Sequence, residues 1–210
     1  MIRVLIADDH PFVRRGIIET LDDASDIQPV GEAATMAETL KAVRENDFDV
    51  VVLDIAMPDG SGLETLAQIK DLKKSPQVLI LSMYPEKQYA VRALRSGAAG
   101  YLTKEAAPDK LILAIRKIAS GGRFITPSLA EELAKYLDKS HETEPHLNLS
   151  NREHQVMVFL AEGNTPKDIG AKLDISPKTV STYRARILEK LGLESTADII
   201  RYALERDLAK

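Results

Sequence analysis

The chain contains no cysteine and no tryptophan. Without thiols there is no disulfide framework, no thiolate metal site and no cysteine nucleophile. No apolar run approaches the roughly 18 residues that a membrane span needs. The opening "MIRVLIADD" turns acidic at once, where a secretory signal would place a basic stretch before its apolar core. A basic excess is missing too. Net charge is −4, so the whole-chain balance does not advertise a nucleic-acid binder. Internal repeats and low-complexity tracts are absent. A soluble, cytoplasmic chain with no membrane partner is expected, and 210 residues suit one large or two small domains.

The charge is unevenly placed. Residues 1–143 carry 18 Lys and Arg against 22 Asp and Glu, a net of −4, while residues 144–210 carry 10 of each. Within the second part, Ser176 to Lys190 holds Lys178, Arg184, Arg186 and Lys190 against Glu189 alone. Any basic footprint is therefore local.

The first half alternates two periods. Short apolar runs, "IRVLIA" (Ile2–Ala7), a weaker "IQPVGEA" (Ile27–Ala33), "VVVL" (Val50–Leu53), "VLIL" (Val78–Leu81) and "AGYLT" (Ala99–Thr103), read as strands. Between them the spacing predicts helices at about 11–21, 35–46, 62–72 and 86–96, with a fifth at 108–120. Pro11 suits a first helical turn, "TMAE" (Thr35–Glu38) is a capping box, and Gly97 and Gly121 follow helix ends. Five strands alternating with five helices predict a doubly wound parallel sheet of α/β class. Ligands of such sheets gather beyond the carboxyl ends of the strands.

After "SGGRFITP" the alternation stops. A short helix over "SLAEELAKYL" is followed by the polar, aperiodic "DKSHETEPH" (Asp138–His146), which reads as a linker. From Leu149 everything reads as helix. "SNRE" (Ser150–Glu153) is a capping box, "TPKD" (Thr165–Asp168) and "SPKT" (Ser176–Thr179) place hydroxyls before first-turn prolines, and "STAD" (Ser195–Asp198) opens a fourth helix. Four short helices with one tight junction, "LDIS" (Leu173–Ser176), describe a helix-turn-helix. The expected organisation is a first domain over residues 1–122, a linker with a short helix over 123–146, and an all-α domain over 147–210.

The strand ends carry compatible chemistry. The first strand ends in Asp8 and Asp9, the third in Asp54, the fourth in Ser82, and the fifth reaches Lys104. Carboxylates brought together without a cation repel, and one is driven to hold a proton. A hard divalent ion, Mg²⁺ above all, relieves that, because it takes a few carboxylate oxygens with water and phosphate. Lys104 could pair there with an anionic ligand. Each residue also has a plainer role open to it: Asp9 or His10 could cap the helix that starts at Pro11, Ser82 could be an ordinary strand-end hydroxyl, and Lys104 a solvated loop lysine.

The strips "ADDH" (Ala7–His10), "LDIAMPDGSG" (Leu53–Gly62), "LS" (Leu81-Ser82) and "GYLTK" (Gly100–Lys104) together resemble the receiver domains of two-component response regulators. The C-terminal "LSNREHQVMVFLAEG" and "DISPKTVSTYRARILEKLGL" resemble the LuxR-type helix-turn-helix of the NarL/FixJ subfamily. The resemblance implies a flavodoxin-like receiver, a sensor histidine kinase as phosphate donor, operator DNA as target and a homodimer as the active form. It implies Asp54 as phosphoacceptor, with Mg²⁺ held by Asp8, Asp9, Asp54 and the carbonyl of Ala56. Lys104 would grip a phosphoryl oxygen, Ser82 would bond another, and Tyr101 would swing inward behind it. Ser82 stands where many receivers have threonine and Glu105 where many have proline. Ala56 and Tyr84 lack a group suited to activating water, which points to slow hydrolysis of the acyl phosphate.

On a helical wheel, Val180, Tyr183, Ile187 and Leu191 face the domain interior. Lys178, Ser181, Thr182, Ala185 and Glu189 lie opposite, where small and polar side chains suit approach to base edges. Arg186 and Lys190 flank that face and could reach phosphates, whereas Arg184 lies nearer the core side. Gly170 sits in mid-helix and should cost about 1 kcal/mol relative to alanine. Ile199, Ile200, Tyr202, Ala203 and Leu204 exceed what a three-helix core requires and are assigned to a symmetric dimer contact. Two other functions compete. A Mg²⁺-dependent phosphatase with Asp54 as nucleophile would want a second acid at Ala56, and a regulator switched only by a protein partner would not need the Asp8, Asp9, Asp54 and Lys104 set.

Overall fold

The computed structural model describes residues 1–57, 59–138, 145–206, 208 and 209. They form two compact units, Met1–Leu133 and Ala134–Lys210. The first unit runs β1 (Ile2–Ala7), α1 (Pro11–Asp22), β2 (Ile27–Ala33), α2 (Met36–Glu45), β3 (Val50–Leu53), β4 (Ala56–Met57), β5 (Gly60–Ser61), α3 (Gly62–Lys70), β6 (Gln77–Ser82), α4 (Glu86–Arg95), β7 (Gly100–Thr103) and α5 (Pro108–Ala119). The five long strands make a parallel sheet in the order β2-β1-β3-β6-β7.

Alternation along each strand explains the two layers. Leu5, Val51, Leu53 and Ile80 pack on one face with α2, α3 and α4, through side chains such as Met36, Leu66 and Ala90. Val4, Ile6, Val52 and Leu79 pack on the other with Ile17 and Leu21 of α1 and Ala114, Ile115 and Ile118 of α5. A strand buried on both sides reads as an unbroken apolar run, which is why β3 is simply "VVVL". The weaker β2 is an edge strand. Pro29 cannot donate to a ladder, and the β1–β2 register shifts beside it, between Val4 and Leu5.

Because the strands are parallel, the residues after Ala7, Leu53, Ser82 and Thr103 emerge at one edge. The register pairs Ala7 with Leu53, Leu53 with Ile80, and Ser82 with Thr103. Thr35 caps α2, accepting from Glu38 N–H at 3.1 Å, but the expected box is incomplete, because the Glu38 carboxylate takes Ala34 N–H at 2.7 Å instead of the cap's own N–H. At α1 the capping position falls to His10, whose side chain makes no cap bond.

Two features differ from expectation. Beyond Asp54 the chain forms a small antiparallel hairpin, with Ala56 opposite Ser61 and Met57 opposite Gly60. The first unit also continues past residue 122 to Leu133. Phe124 bridges Gly100 at the sheet edge, its N–H donating to the Ala99 carbonyl at 2.8 Å, and Leu129 on the next helix, α6 (Pro127–Asp138), is fully buried in the α2–α4 layer. The start of the expected linker is thus core. Residues 139–144 of that linker lie outside the described residues.

The second unit has a 3-10 turn (Pro145–Asn148), then α7 (Asn151–Ala161), α8 (Pro166–Leu173), α9 (Pro177–Leu191) and α10 (Thr196–Glu205). Ser150 with Glu153, Thr165 with Asp168 and Ser195 with Asp198 close reciprocal capping boxes. Val156, Met157, Ile169, Val180 and Ile187 form its core with Ile199, Tyr202 and Ala203 of α10. Those last three are therefore spent inside the unit, and the apolar surface left on α10 narrows chiefly to exposed Leu204 and half-buried Ile200.

Candidate functional site

The convergence at the sheet edge is tight. Lys104 extends its ammonium to Asp54 Oδ2 at 2.7 Å and to Asp8 Oδ2 at 2.6 Å, and all three side chains are nearly enclosed. The other oxygen of each acid meets backbone: Asp54 Oδ1 accepts from Ala56 N–H at 3.2 Å, and Asp8 Oδ1 from His10 N–H at 2.9 Å. Burial pushes the Asp54 carboxyl above the ordinary range, and the pull of Lys104 only partly offsets it. Burial would lower the Lys104 ammonium, but Asp54 and Asp8 together hold it above its usual value.

Asp9 is half-buried, with Oδ1 at 2.6 Å from His10 Nδ1. Asp8, Asp9, Asp54 and His10 place potential ligand atoms within 4.8 Å of one another. Three carboxylates at that spacing fit a hard divalent cation. Ala56, whose carbonyl the resemblance assigns as a further ligand, opens β4 two residues beyond Asp54.

The supports of this cluster were not evident as site residues. Arg14 of α1 donates to the Asp8 carbonyl at 2.7 Å and to Glu32 at 3.1 Å, fastening the acidic loop. Asp59 accepts from the N–H groups of Met36 and Ala37 at 2.7 and 2.9 Å, anchoring the loop after Asp54 to the start of α2. Gly62 is required by close approach, since a Cβ there would lie 2.3 Å from the Asp54 carbonyl oxygen. The "MPDGSG" break thus carries its own signal in Asp59 and Gly62.

Ser82 is fully buried at the end of β6, with its Oγ 3.4 Å from Tyr84 N–H. Tyr101 is fully buried as well and donates its hydroxyl to the Tyr84 carbonyl at 2.8 Å. Burial pushes the Tyr101 phenol far above its usual pKa. Its inward position is already present here.

In the second unit, Lys178, Ser181, Thr182, Ala185, Arg186 and Lys190 of α9 are exposed, while Val180 and Ile187 are buried, as the wheel predicts. Ser181 and Thr182 rest their hydroxyls on the carbonyls of Pro177 and Lys178, both at 3.1 Å. Arg184 donates to Thr196 at 2.9 Å on the core side. Lys190 is engaged: its ammonium lies 2.7 Å from the buried carboxylate of Glu153 in α7. Gly170 also has a reason the helix scale does not contain. A Cβ there would lie 2.6 Å from the Ile175 carbonyl oxygen, inside the turn between α8 and α9.

A doubly wound sheet presenting this acid–lysine–hydroxyl set, followed by a helix-turn-helix, defines a class. Residues 4–116 match the response regulator receiver domain, and residues 147–203 match the LuxR family of bacterial regulatory proteins. The chain belongs to the two-component response regulators of LuxR type, which are DNA-binding transcription regulators. The response regulator UvrY of Escherichia coli K12 is 36 % identical over 209 residues, covering 99 % of this chain and 96 % of that protein. The response regulator GacA of Pseudomonas aeruginosa is 37 % identical over 209 residues, covering 99 % and 98 %. Among solved structures, RcsB of Salmonella enterica serovar Typhimurium, bound to promoter DNA with the phosphomimetic BeF₃⁻, is similar at 27 % identity and a TM-score of 0.64, covering 96 % of this chain and 98 % of that one. Among the described residues no helix is long and apolar enough to cross a membrane.

Proposed function

We propose that Asp54 accepts a phosphoryl group from a sensor histidine kinase and that the phosphorylated chain binds operator DNA as a homodimer. One observation carries this above the rest: Lys104 joins Asp54 to Asp8 at 2.7 and 2.6 Å, where the parallel strands end. An Asp54 carboxylate oxygen attacks phosphorus, the bond to the donor imidazole nitrogen breaks, and an acyl phosphate results. Positioning and charge neutralisation do most of the catalysis in such transfers. Lys104 leaves its carboxylate partners to hold one phosphoryl oxygen, and the Ser82 hydroxyl donates to another. Asp8, Asp9, Asp54 and the Ala56 carbonyl would hold Mg²⁺, which when bound supplies the positive charge that offsets phosphate and carboxylates. The receiver thereby catalyses its own phosphotransfer and slow dephosphorylation, and no other reaction is assigned to the chain.

In the second unit, Lys178, Ser181, Thr182, Ala185 and Arg186 form the DNA face, with Lys190 at its far end. The receiver, which runs on to Leu133, the connection up to residue 146 and the DNA-binding domain at 147–210 act as switch, coupling and output in the cytoplasm. The decisive experiment is intact mass of the protein after acetyl phosphate and Mg²⁺. Wild type should gain one phosphate and Asp54→Asn none. Stable phosphate on Asp54→Asn would overturn the assignment.

A further inference from the structure

Lys104 answers two of the three acids at the strand ends. Its ammonium takes Asp8 Oδ2 and Asp54 Oδ2, and Asp9 is left to another partner. Asp9 Oδ1 is a buried atom that no hydrogen bond reaches, although it lies 2.6 Å from Nδ1 of His10. The same nitrogen is 3.3 Å from Asp8 Oδ1. Nitrogen and oxygen thus face each other closely without the alignment that a hydrogen bond requires. A cation shared by the two supplies the missing partner, because each can turn a lone pair toward it.

No cap bond competes for the His10 ring. The residue stands at the capping position of α1, where its side chain makes no such bond and is 63 % exposed. Its backbone N–H donates to Asp8 Oδ1 at 2.9 Å, which keeps the residue beside the acids. Ligand atoms of Asp8, Asp9, His10 and Asp54 lie within 4.8 Å of one another. Octahedral bonds of about 2.1 Å set neighbouring donors about 3 Å apart and opposite ones about 4.2 Å apart. The cluster is therefore close to the span of one ion's ligand shell. Mg²⁺ suits carboxylate and gives up water reluctantly, whereas imidazole nitrogen raises affinity for divalent transition ions.

We propose that His10 is a nitrogen ligand of the receiver's cation site and tunes it toward divalent transition ions over Mg²⁺. The carboxylates supply the charge that holds either ion, and His10 supplies the discrimination between them. Mg²⁺ keeps a water where a transition ion takes Nδ1. This rests on Asp8, Asp9 and Asp54 as the metal site.

Mn²⁺, which is paramagnetic and prefers the same octahedral geometry as Mg²⁺, tests it on the full chain in neutral buffer. Pulsed EPR of the Mn²⁺-loaded protein should show a nitrogen coupled directly to the metal. His10→Asn should lose that coupling. Asparagine is a good cap for α1 and can still donate to Asp9, so the fold and outer hydrogen bonding are kept. In competition titrations the variant should bind Mn²⁺ roughly tenfold more weakly, with Mg²⁺ binding within about twofold of wild type. Asp9→Asn should weaken both ions and so marks binding at this site. Mn²⁺ held through Asp9 without nitrogen coupling overturns His10 as ligand and leaves the metal site standing. An equal loss of both ions in His10→Asn does so too, since it means that His10 merely orients Asp9. Mn²⁺ binding that Asp9→Asn leaves unchanged overturns the metal site itself, and the role of His10 with it.

Discussion

Lys190 holds Glu153 at 2.7 Å, and so ties the last turn of α9 to the first turn of α7. Glu153 is 3 % exposed on its side chain and also accepts from Ser150 N–H at 2.6 Å. Removing the lysine leaves a buried carboxylate with only its Ser150 donors, which costs more than an ordinary surface pair. Because Lys190 itself is 41 % exposed, water replaces part of the loss, and Lys190→Ala should cost about 1–2 kcal/mol. The check is a chemical melt. The same variant should alter the salt slope of DNA binding less than Arg186→Ala does.

The pair also sets a pH dependence. Burial would raise the Glu153 carboxyl, but Lys190 and the Ser150 donors hold it below the ordinary glutamate value of 4.5. A carboxylate depressed in the folded state adds stability that is complete above its unfolded pKa and lost as pH falls through its folded one. Melts of the chain below pH 4.5 should lose this contribution in wild type, and Glu153→Gln should flatten the curve there. An unchanged acid slope in Glu153→Gln would count against the pairing.

Gly170→Ala should destabilise the second unit, although helix propensity alone favours alanine by about 1 kcal/mol. The added carbon meets a backbone carbonyl in the α8–α9 turn at 2.6 Å, and crowding of fixed backbone typically costs about 1–3 kcal/mol. A higher urea midpoint for Gly170→Ala would show that the turn yields more easily than its geometry indicates.

Asp54→Asn should raise the stability of the metal-free first unit at neutral pH. The folded state, chiefly through burial, holds this carboxyl above its unfolded value, so ionisation costs the folded state and stability falls as pH rises through that window. An amide of the same shape carries no such charge, and Lys104 keeps Asp8 at 2.6 Å. Urea melts in chelator should show a higher midpoint, and the gain should shrink at acid pH.

Thr182 and Arg186 should separate by kind. Thr182→Ala should change the preferred sequence, at about 1–3 kcal/mol for the affected base pair. Arg186→Ala should weaken all sequences alike and reduce the salt slope by about one per subunit. Binding-site selection at two salt concentrations distinguishes them; the reversed pattern would mean that α9 lies in the groove another way.

The strand tips were legible because a buried strand must be apolar on both faces, so an aspartate directly after "VVVL" stands out as an emergent end. The capping box of α7 and the hydroxyl caps of α8 and α9 were legible for a similar reason, since each motif is complete within four residues. What lay hidden depends on distant partners. A wheel gives the direction of Lys190 but not that Glu153, 37 residues earlier, waits there. Phe124 and Leu129 look like any apolar residues near a linker until the sheet edge and the α2–α4 layer exist to receive them. The β4–β5 hairpin is too short for periodicity to register.

The two rims of the sheet bear on how this chain meets other molecules. On β2 the proline at 29 has no N–H to offer and sits at a register shift, and beyond β7 the segment at Phe124 already occupies the neighbouring lane. An exposed, regular rim is what a foreign extended peptide would copy itself onto. Neither rim offers that template. Self-propagating strand addition along the sheet is thereby disfavoured even in a crowded cell.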